Sequence, residues 1–323
     1  MRIMDSFSVA LLPWGTKPIN QDDVAKAAKH AEELGFYSLT IPVILRLPDE
    51  PLYARFGNEN IVDPLVLFPV VAQATKSIRI GVHSMVLPLL PPYVWAKYIA
   101  SLDLISGGRV DAGMCLGFSQ RQFDAVDISV KKRARMSDEQ VEVITRLWTE
   151  ERVTHQGQFY NLKDVTLEPK PAQKPHPPIW WGGGQASIAR AARWCEYIAT
   201  PFPTVREVKE EYIPRLKEEC HKWGTNTKVA GWVFSTIDPH KDFSEQDLRD
   251  WILDLLWHEG REPDPREATI AGSPQQCADK INAFRDAGLS HFIFDFQRHG
   301  LDSVSESIRQ MDLFVERVVP LLK

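Results

Sequence analysis

The sequence is poor in the features that mark several whole classes of protein. Its 323 residues include only four cysteines, Cys115, Cys195, Cys220 and Cys277, widely spaced and never in a C-x-x-C pair. That pattern excludes a disulfide framework and a zinc ribbon, and it fits reduced thiols in a cytoplasmic protein. No apolar run approaches the roughly 20 residues of a membrane span, and the start Met1-Arg2-Ile3-Met4-Asp5 puts an acid before a short apolar run, unlike a signal peptide. Positive charge is not in excess. The formal net charge is −5, with the signs interspersed, which argues against nucleic acid or an anionic membrane as partner. The nine histidines are scattered, with no ligand-spaced pair on one face, so no metal site is expected.

Against these absences stands a regular alternation of strand and helix. With 44% hydrophobic residues the chain can bury a large core. Residues 7–12 are expected as a first strand, and Asn20 caps a helix whose apolar face is Val24, Ala28, Ala31 and Leu34, closed by Gly35. Further strands are expected at 38–41, 78–85, 109–115, 179–181, 197–200, 228–235 and 291–296. Between them lie helices, two of them opened by the capping-box spacings Thr204 to Glu207 and Ser273 to Gln276. Residues 153–165 read as a hairpin outside the main pattern. Eight strand–helix units with no linker predict an α/β fold, a (β/α)8 TIM barrel running as one domain over residues 1–323. Insertions are expected after strands two, four and seven. Residues 42–60, proline-rich and aperiodic, read as a functional excursion or lid, and residues 238–269 as either a water-excluding lid or a dimer contact.

In such a barrel, reacting groups sit where strands end and the loops to the next helix begin. The proline-led strand ending at Trp181 runs into Gly182-Gly183-Gly184-Gln185-Ala186-Ser187 and then a helical pattern. Bare glycines let backbone N–H groups converge, and a helix N-terminus favours an anion by about 0.3–1 kcal/mol. A phosphate fits there; a plain tight turn would use the same glycines, since neither P-loop nor G-x-G-x-x-G spacing is present. Other strand ends offer Pro13 and Trp14, His83, Ser84 and Met85, Cys115 to Gln122, Pro201 and Phe202, Ser235 and Thr236, and Gln297, Arg298 and His299. The set is poor in carboxylates, unlike that of a hydrolase, an aldolase or a metal barrel. It points to a pocket for a flat, phosphorylated cofactor that carries the reactivity itself. Trp14, Tyr53, Phe56, Phe118 and Phe202 are expected to line its apolar part.

The run 87–109, ending Leu102-Asp103-Leu104-Ile105-Ser106-Gly107-Gly108-Arg109, resembles the signature of the bacterial luciferase-like monooxygenase family. Similarity continues through Gly113 to Gly117, Arg133-Ala134-Arg135, Leu147-Trp148, Gly157-Gln158-Phe159-Tyr160, residues 177–184, Ala271-Gly272-Ser273-Pro274 and Ala287-Gly288, so it covers nearly the whole chain. Independently of any cofactor, the glycines after Ser106 stop a helix and turn the chain into strand four.

The resemblance implies a homodimeric barrel that binds reduced FMN or a deazaflavin (coenzyme F420) at the strand C-terminal face. It implies that Gly182, Gly183, Gly184, Gln185 and Ser187 hold the cofactor phosphate. His83, Ser84 and Met85 would lie against the ring, beside a non-prolyl cis peptide expected at Ser84–Met85, and Cys115 and Gly117 join the cofactor-binding set. His83 reads either as a satisfied core histidine or as a group that hydrogen-bonds the flavin or acts as an acid; Arg298 reads as a solvated loop charge or as a catalytic-site anion ligand. Where the family reads G-x-G-x-G-W, this chain has Gly113-Met114-Cys115-Leu116-Gly117-Phe118, so Cys115 is either an ordinary buried thiol or a group shaping the substrate side. Leu90-Pro91 replaces an Arg-His pair, and no His-Trp pair follows strand two, which tilts the reading towards FMN. The expected activity is a monooxygenase in which reduced FMN, supplied by an NAD(P)H-dependent flavin reductase, and dioxygen oxygenate a small, moderately apolar organic substrate. An F420-dependent oxidoreductase that transfers a hydride and a non-catalytic flavin-binding barrel are the alternatives.

Overall fold

A computed structural model describes residues 3–11, 19–43, 62–241, 243–248, 264–296 and 303–323. The sequence candidates Pro13, Trp14, Tyr53, Phe56, Gln297, Arg298 and His299 lie outside the described residues, as do 44–60 of the first expected excursion and 249–263 of the last.

Eight parallel strands close a ring, as expected. They are β1 (Phe7–Ala10), β2 (Ser38–Ile41), β3 (Arg79–Val86), β4 (Val110–Cys115), β7 (Ile179–Gly182), β8 (Tyr197–Pro201), β9 (Lys228–Ile237) and β11 (Leu289–Asp295). Each pairs with its neighbour, and β9 joins β8 on one side and β11 on the other, which closes the circuit. Between the ring strands run α1 (Gln21–Glu33), α2 (Pro64–Ala74), α3 (Pro92–Ser106), the short α4 (Gln120–Asp124), α5 (Arg133–Thr149), α6 (Ile188–Trp194), α7 (Ile213–Trp223) and α8 (Pro274–Asp286), with α9 (Ser303–Leu313) last. Alternation along each strand divides the side chains in two. Outward residues such as Val9, Leu39, Ile80, Val82 and Trp181 meet the helices in one large core. Inward, Ala10, Trp180, Ala199, Ala230 and Ile293 form a smaller cluster with Tyr37, Tyr197 and Trp232 packed against it.

The expected caps are in place. Asn20 Oδ1 accepts from the N–H of Asp22 and Asp23 at 2.9 and 3.0 Å, and both capping boxes form. Gly107 and Gly108 adopt φ of 73° and 82° and end α3. The signature around them turns out to be a bolt. Buried Asp103 accepts from Val110 N at 3.3 Å and from Gln173 N and Nε2 at 2.9 and 2.8 Å. The Arg109 guanidinium donates to Ser106 O at 2.7 Å, to Thr75 Oγ1, Ile78 O and Ala72 O at 2.8 Å, and to Thr75 O at 3.3 Å. Those acceptors come from the ends of α2 and α3 and the entry to β3, so one side chain fastens three segments.

The hairpin β5 (Val153–Gln156) and β6 (Asn161–Val165) is also as expected. Glu139 of α5 clasps it, accepting from the N–H of Gln158, Phe159 and Tyr160 at 3.1, 3.0 and 2.7 Å. Strand ends differ from expectation by one or two residues, and one strand is new. Strand β9 runs on to Ile237, and the end of the expected 238–269 insertion leads into β10 (Thr269–Gly272), which pairs in parallel with Phe234–Ile237 outside the ring. Four residues are too few to show a period in sequence, so only the pairing partner reveals the strand.

Arg109→Lys is expected to lower the free energy of unfolding by about 2–4 kcal/mol, because an ammonium cannot serve five acceptors held in this fork geometry. Urea denaturation followed by circular dichroism measures this. A loss below about 1 kcal/mol would show that the fork is dispensable.

Candidate functional site

The C-terminal ends of the ring strands gather the expected site around an irregularity in β3. Strand β3 pairs with β4 in step up to Val82 opposite Ala112, and pairing resumes with Met85 opposite Met114, so β3 holds one extra residue between them. The His83–Ser84 peptide in that bulge is cis. It lies one bond before the expected Ser84–Met85. Met85 is back in the ladder and packs in the large outer core, so the irregularity has to be completed before it.

The neighbouring strands leave room for the bulge by being bare. A β-carbon on Gly113 would collide with Val82 O and come within 2.8 Å of His83 Cδ2. On Gly182 it would collide with Ser84 Oγ and lie 3.6 Å from Cys115 Cβ. Ser84, Cys115 and Gly182 therefore meet at one point, and the Cys115 thiol lies 3.9 Å from Ser84 O. Burial pushes the Cys115 thiol up to about 12, so it stays protonated at neutral pH. Gly117 is required for a different reason. Its φ is 73°, and a side chain there would collide with Val86 and approach Phe123.

Next to this point lies the glycine turn. Gly183 N donates to Ala199 O at 3.1 Å, and Ser187 N to Gly184 O at 2.9 Å. A β-carbon on Gly183 would come within 2.6 Å of Ser187 Oγ and 3.6 Å of Trp181 Nε1. Trp181 Nε1 is itself buried, with no hydrogen-bond partner among the described residues. Gln185 faces away: its side chain is held by Glu211 and, at 3.3 Å, by Arg215 Nη1. What the turn brings together is backbone N–H, the Ser187 hydroxyl and an indole N–H.

Beneath the bulge the ring is filled by aromatic groups. The His83 ring lies 4.8 Å from that of Trp180, which stacks on Tyr197 at 4.0 Å and meets His291 edge-on at 5.1 Å. Burial drives both histidines down to about 3, so each is neutral above mildly acid pH. On the far side of the same end, Phe202 adopts φ of 46° and stacks on Phe234 at 4.3 Å. Phe243 and Leu248, from the described start of the last insertion, complete that apolar cluster. Phe118 does not join it and is 58% exposed. Sequence reading passed over one carboxylate: Asp295, buried at the end of β11 opposite Ala10. Its place in the inward series His291, Ile293, Asp295 was the available signal.

The description luciferase-like monooxygenase matches residues 4–291, and the chain belongs to that family. An FMNH2-dependent dimethylsulfone monooxygenase of Pseudomonas putida is 28% identical over 307 residues, covering 84% of this chain and 81% of that protein. An F420-dependent glucose-6-phosphate dehydrogenase of Kineococcus radiotolerans is 28% identical over 330 residues and covers 93% of each. In fold, the chain matches an F420-dependent secondary alcohol dehydrogenase in complex with an F420-acetone adduct, with a TM-score of 0.80, 21% identity, and 98% and 99% of the two chains covered. The family thus contains oxidoreductases of both cofactor types.

Gly113→Ala is expected to cost about 3 kcal/mol, because the added carbon meets backbone, whereas Gly182→Ala costs about 1 kcal/mol, because a serine hydroxyl can turn aside. Equal losses in urea denaturation would contradict this packing. A second expectation concerns acid. Since His83 and His291 have folded values below the ordinary histidine value, the unfolded chain binds more protons in between, and stability falls as pH drops from about 6.5 towards 3. Asp111, raised by burial to about 6 against the pull of Arg79, opposes this, but as one group against two. The pH dependence of the urea midpoint is expected to flatten in His83→Gln; an unaltered slope would overturn the assignment.

Proposed function

We propose that the protein is a flavin-dependent monooxygenase that uses reduced FMN and dioxygen to oxygenate a small, moderately apolar organic substrate, with the reduced FMN supplied by a separate NAD(P)H-dependent reductase. The observation that carries this reading is the junction of Ser84, Cys115 and Gly182, where only small groups meet, next to the turn bounded by Gly183 and Ser187. A flat ring needs the first and a phosphate the second. The unpartnered Trp181 Nε1 beside Gly183 supports an oxygen acceptor in that turn. Bound FMN would supply the redox chemistry, and the protein supplies position and dryness.

The roles of the chain's own groups follow. Backbone N–H groups of residues 184–186 and the Ser187 hydroxyl hold the phosphate, and Gln185 steadies the turn from outside through Glu211 and Arg215. Ser84 and Cys115 border the ring. Phe202 and Phe234, covered by Phe243 and Leu248, keep water from the substrate side, which makes the start of the 238–269 insertion part of a lid. His83, neutral, is suited to hydrogen bonding and not to delivering a proton at neutral pH. We also read the protein as a cytoplasmic homodimer. The four cysteines are free thiols, and adjacent helices α2 and α3 expose the apolar side chains Val66, Val94, Leu104 and Ile105.

Hydride transfer with the deazaflavin is the second reading, supported by the dehydrogenase relative that covers 93% of the chain. Against it, residues 42–61 contain neither histidine nor tryptophan. Fluorescence titrations with FMN and with F420 separate the two, and dioxygen uptake with reduced FMN and candidate substrates tests turnover. Gly184→Asp is expected to raise the Kd for FMN at least about tenfold, since a carboxylate would occupy the phosphate position; unchanged affinity would remove the turn from the site.

A further inference from the structure

Inside the ring, buried polar groups fall into two sets. The first is closed upon itself: His291 Nε2 and Ser8 Oγ are 2.7 Å apart, Ser38 Oγ donates to Ser8 Oγ at 2.8 Å, and Ser38 and Thr40 hydroxyls lie 3.2 Å apart. The second is open. Trp180 Nε1 and His83 Nδ1 are buried, and neither has a hydrogen-bond partner among the described residues. Their residues are 1% and 4% exposed, and their rings are in contact at 4.8 Å.

Two such atoms on neighbouring rings need an explanation, because an unmet buried polar group carries its full desolvation cost. Neither ring is free to turn towards a protein partner. Trp180 is sandwiched between Tyr197 and the edge of His291, and His83 is held against the bare face of Gly113. The side chains that share the inner cluster with Trp180 are small where three strands pass, at Ala10, Ala199 and Ala230, and Gly182 follows two residues on in β7.

We propose that Trp180 Nε1 and His83 Nδ1 form a binding site for one neutral oxygen atom at the floor of the barrel, held by a water molecule or by the carbonyl or hydroxyl group of a bound organic ligand. The indole can only donate, while a neutral imidazole nitrogen accepts or donates according to tautomer. The oxygen accepts from Trp180, and it either donates to His83, as water or a hydroxyl does, or accepts from it, as a carbonyl does. An ionised group does not fit. The nearby charges Arg79 and Asp111 already pair with each other at 2.6 Å, and the two nitrogens themselves are neutral donors or acceptors. The site does not depend on whether FMN or F420 occupies the mouth above it.

The test uses the full-length protein in crystals grown without and with an oxygen-bearing substrate analogue. An oxygen within roughly 2.7–3.2 Å of both nitrogens is expected. If it is a water that persists with the ligand, the site is a fixed internal water. If it is replaced by the ligand's oxygen, the site is a substrate subsite. A dry floor, or protein groups bonded to both nitrogens, overturns the proposal. In solution, the full chain labelled with 15N-tryptophan reports the same site, with Trp180→Phe identifying the indole signal. A hydrogen-bonded N–H shift is expected, and the shift of an indole in apolar surroundings overturns it. In the subsite case, Trp180→Phe weakens binding of a ligand with the oxygen about tenfold more than that of its deoxy analogue, a difference that general loosening of the barrel would not produce.

Discussion

The upper end of this barrel depends on positions where a β-carbon cannot stand. Gly113 leaves the space that His83 and the Val82 carbonyl occupy, and Gly182 leaves the space for Ser84. Close packing makes these vacancies specific: a barrel interior has no slack to absorb an added methyl. Because β4 and β7 are bare there, β3 can carry an extra residue without leaving the ladder, and Ser84 is brought against Cys115. Gly183 continues the same logic one residue on, where its bare face admits Ser187. The candidate site is thus built by omission along three adjacent strands.

Charge follows a similar separation. The ion pair of partly buried Arg79 with buried Asp111 lies at the start of β3 and β4, near the end of the ring opposite the site. The groups under the site are neutral: two histidines held down by burial and a thiol held up by it. A charge-poor chamber strengthens whatever dipoles it contains and supplies little acid–base power of its own. That balance matches a protein whose redox chemistry would come from a bound group, and it explains why a search for paired carboxylates finds little.

The residues that make the family recognisable in sequence are mostly fasteners. Asp103 and Arg109 join helix ends to strand starts, and Glu139 clasps the hairpin through three backbone N–H groups. Each binds main-chain atoms that a small shift would leave unpaired in the interior, a cost that ties these side chains to one geometry. The site they position carries fewer distinctive side chains than they do.

Local signals in the sequence were enough for the eight ring strands, the helix caps at Asn20, Thr204 and Ser273 and the stops at Gly107 and Gly108, because hydrophobic period and capping act over a few residues. The glycine turn was visible for the same reason. Strand β10, the His83–Ser84 position of the cis bond and the outward packing of Met85 were not. Each is set by a partner far away in the chain: Phe234–Ile237 for β10, Met114 for Met85, and Gly113 for His83. Sequence order fixes which residues alternate and where helices begin and end, but the register between strands is an agreement among distant segments, and only the folded barrel decides it.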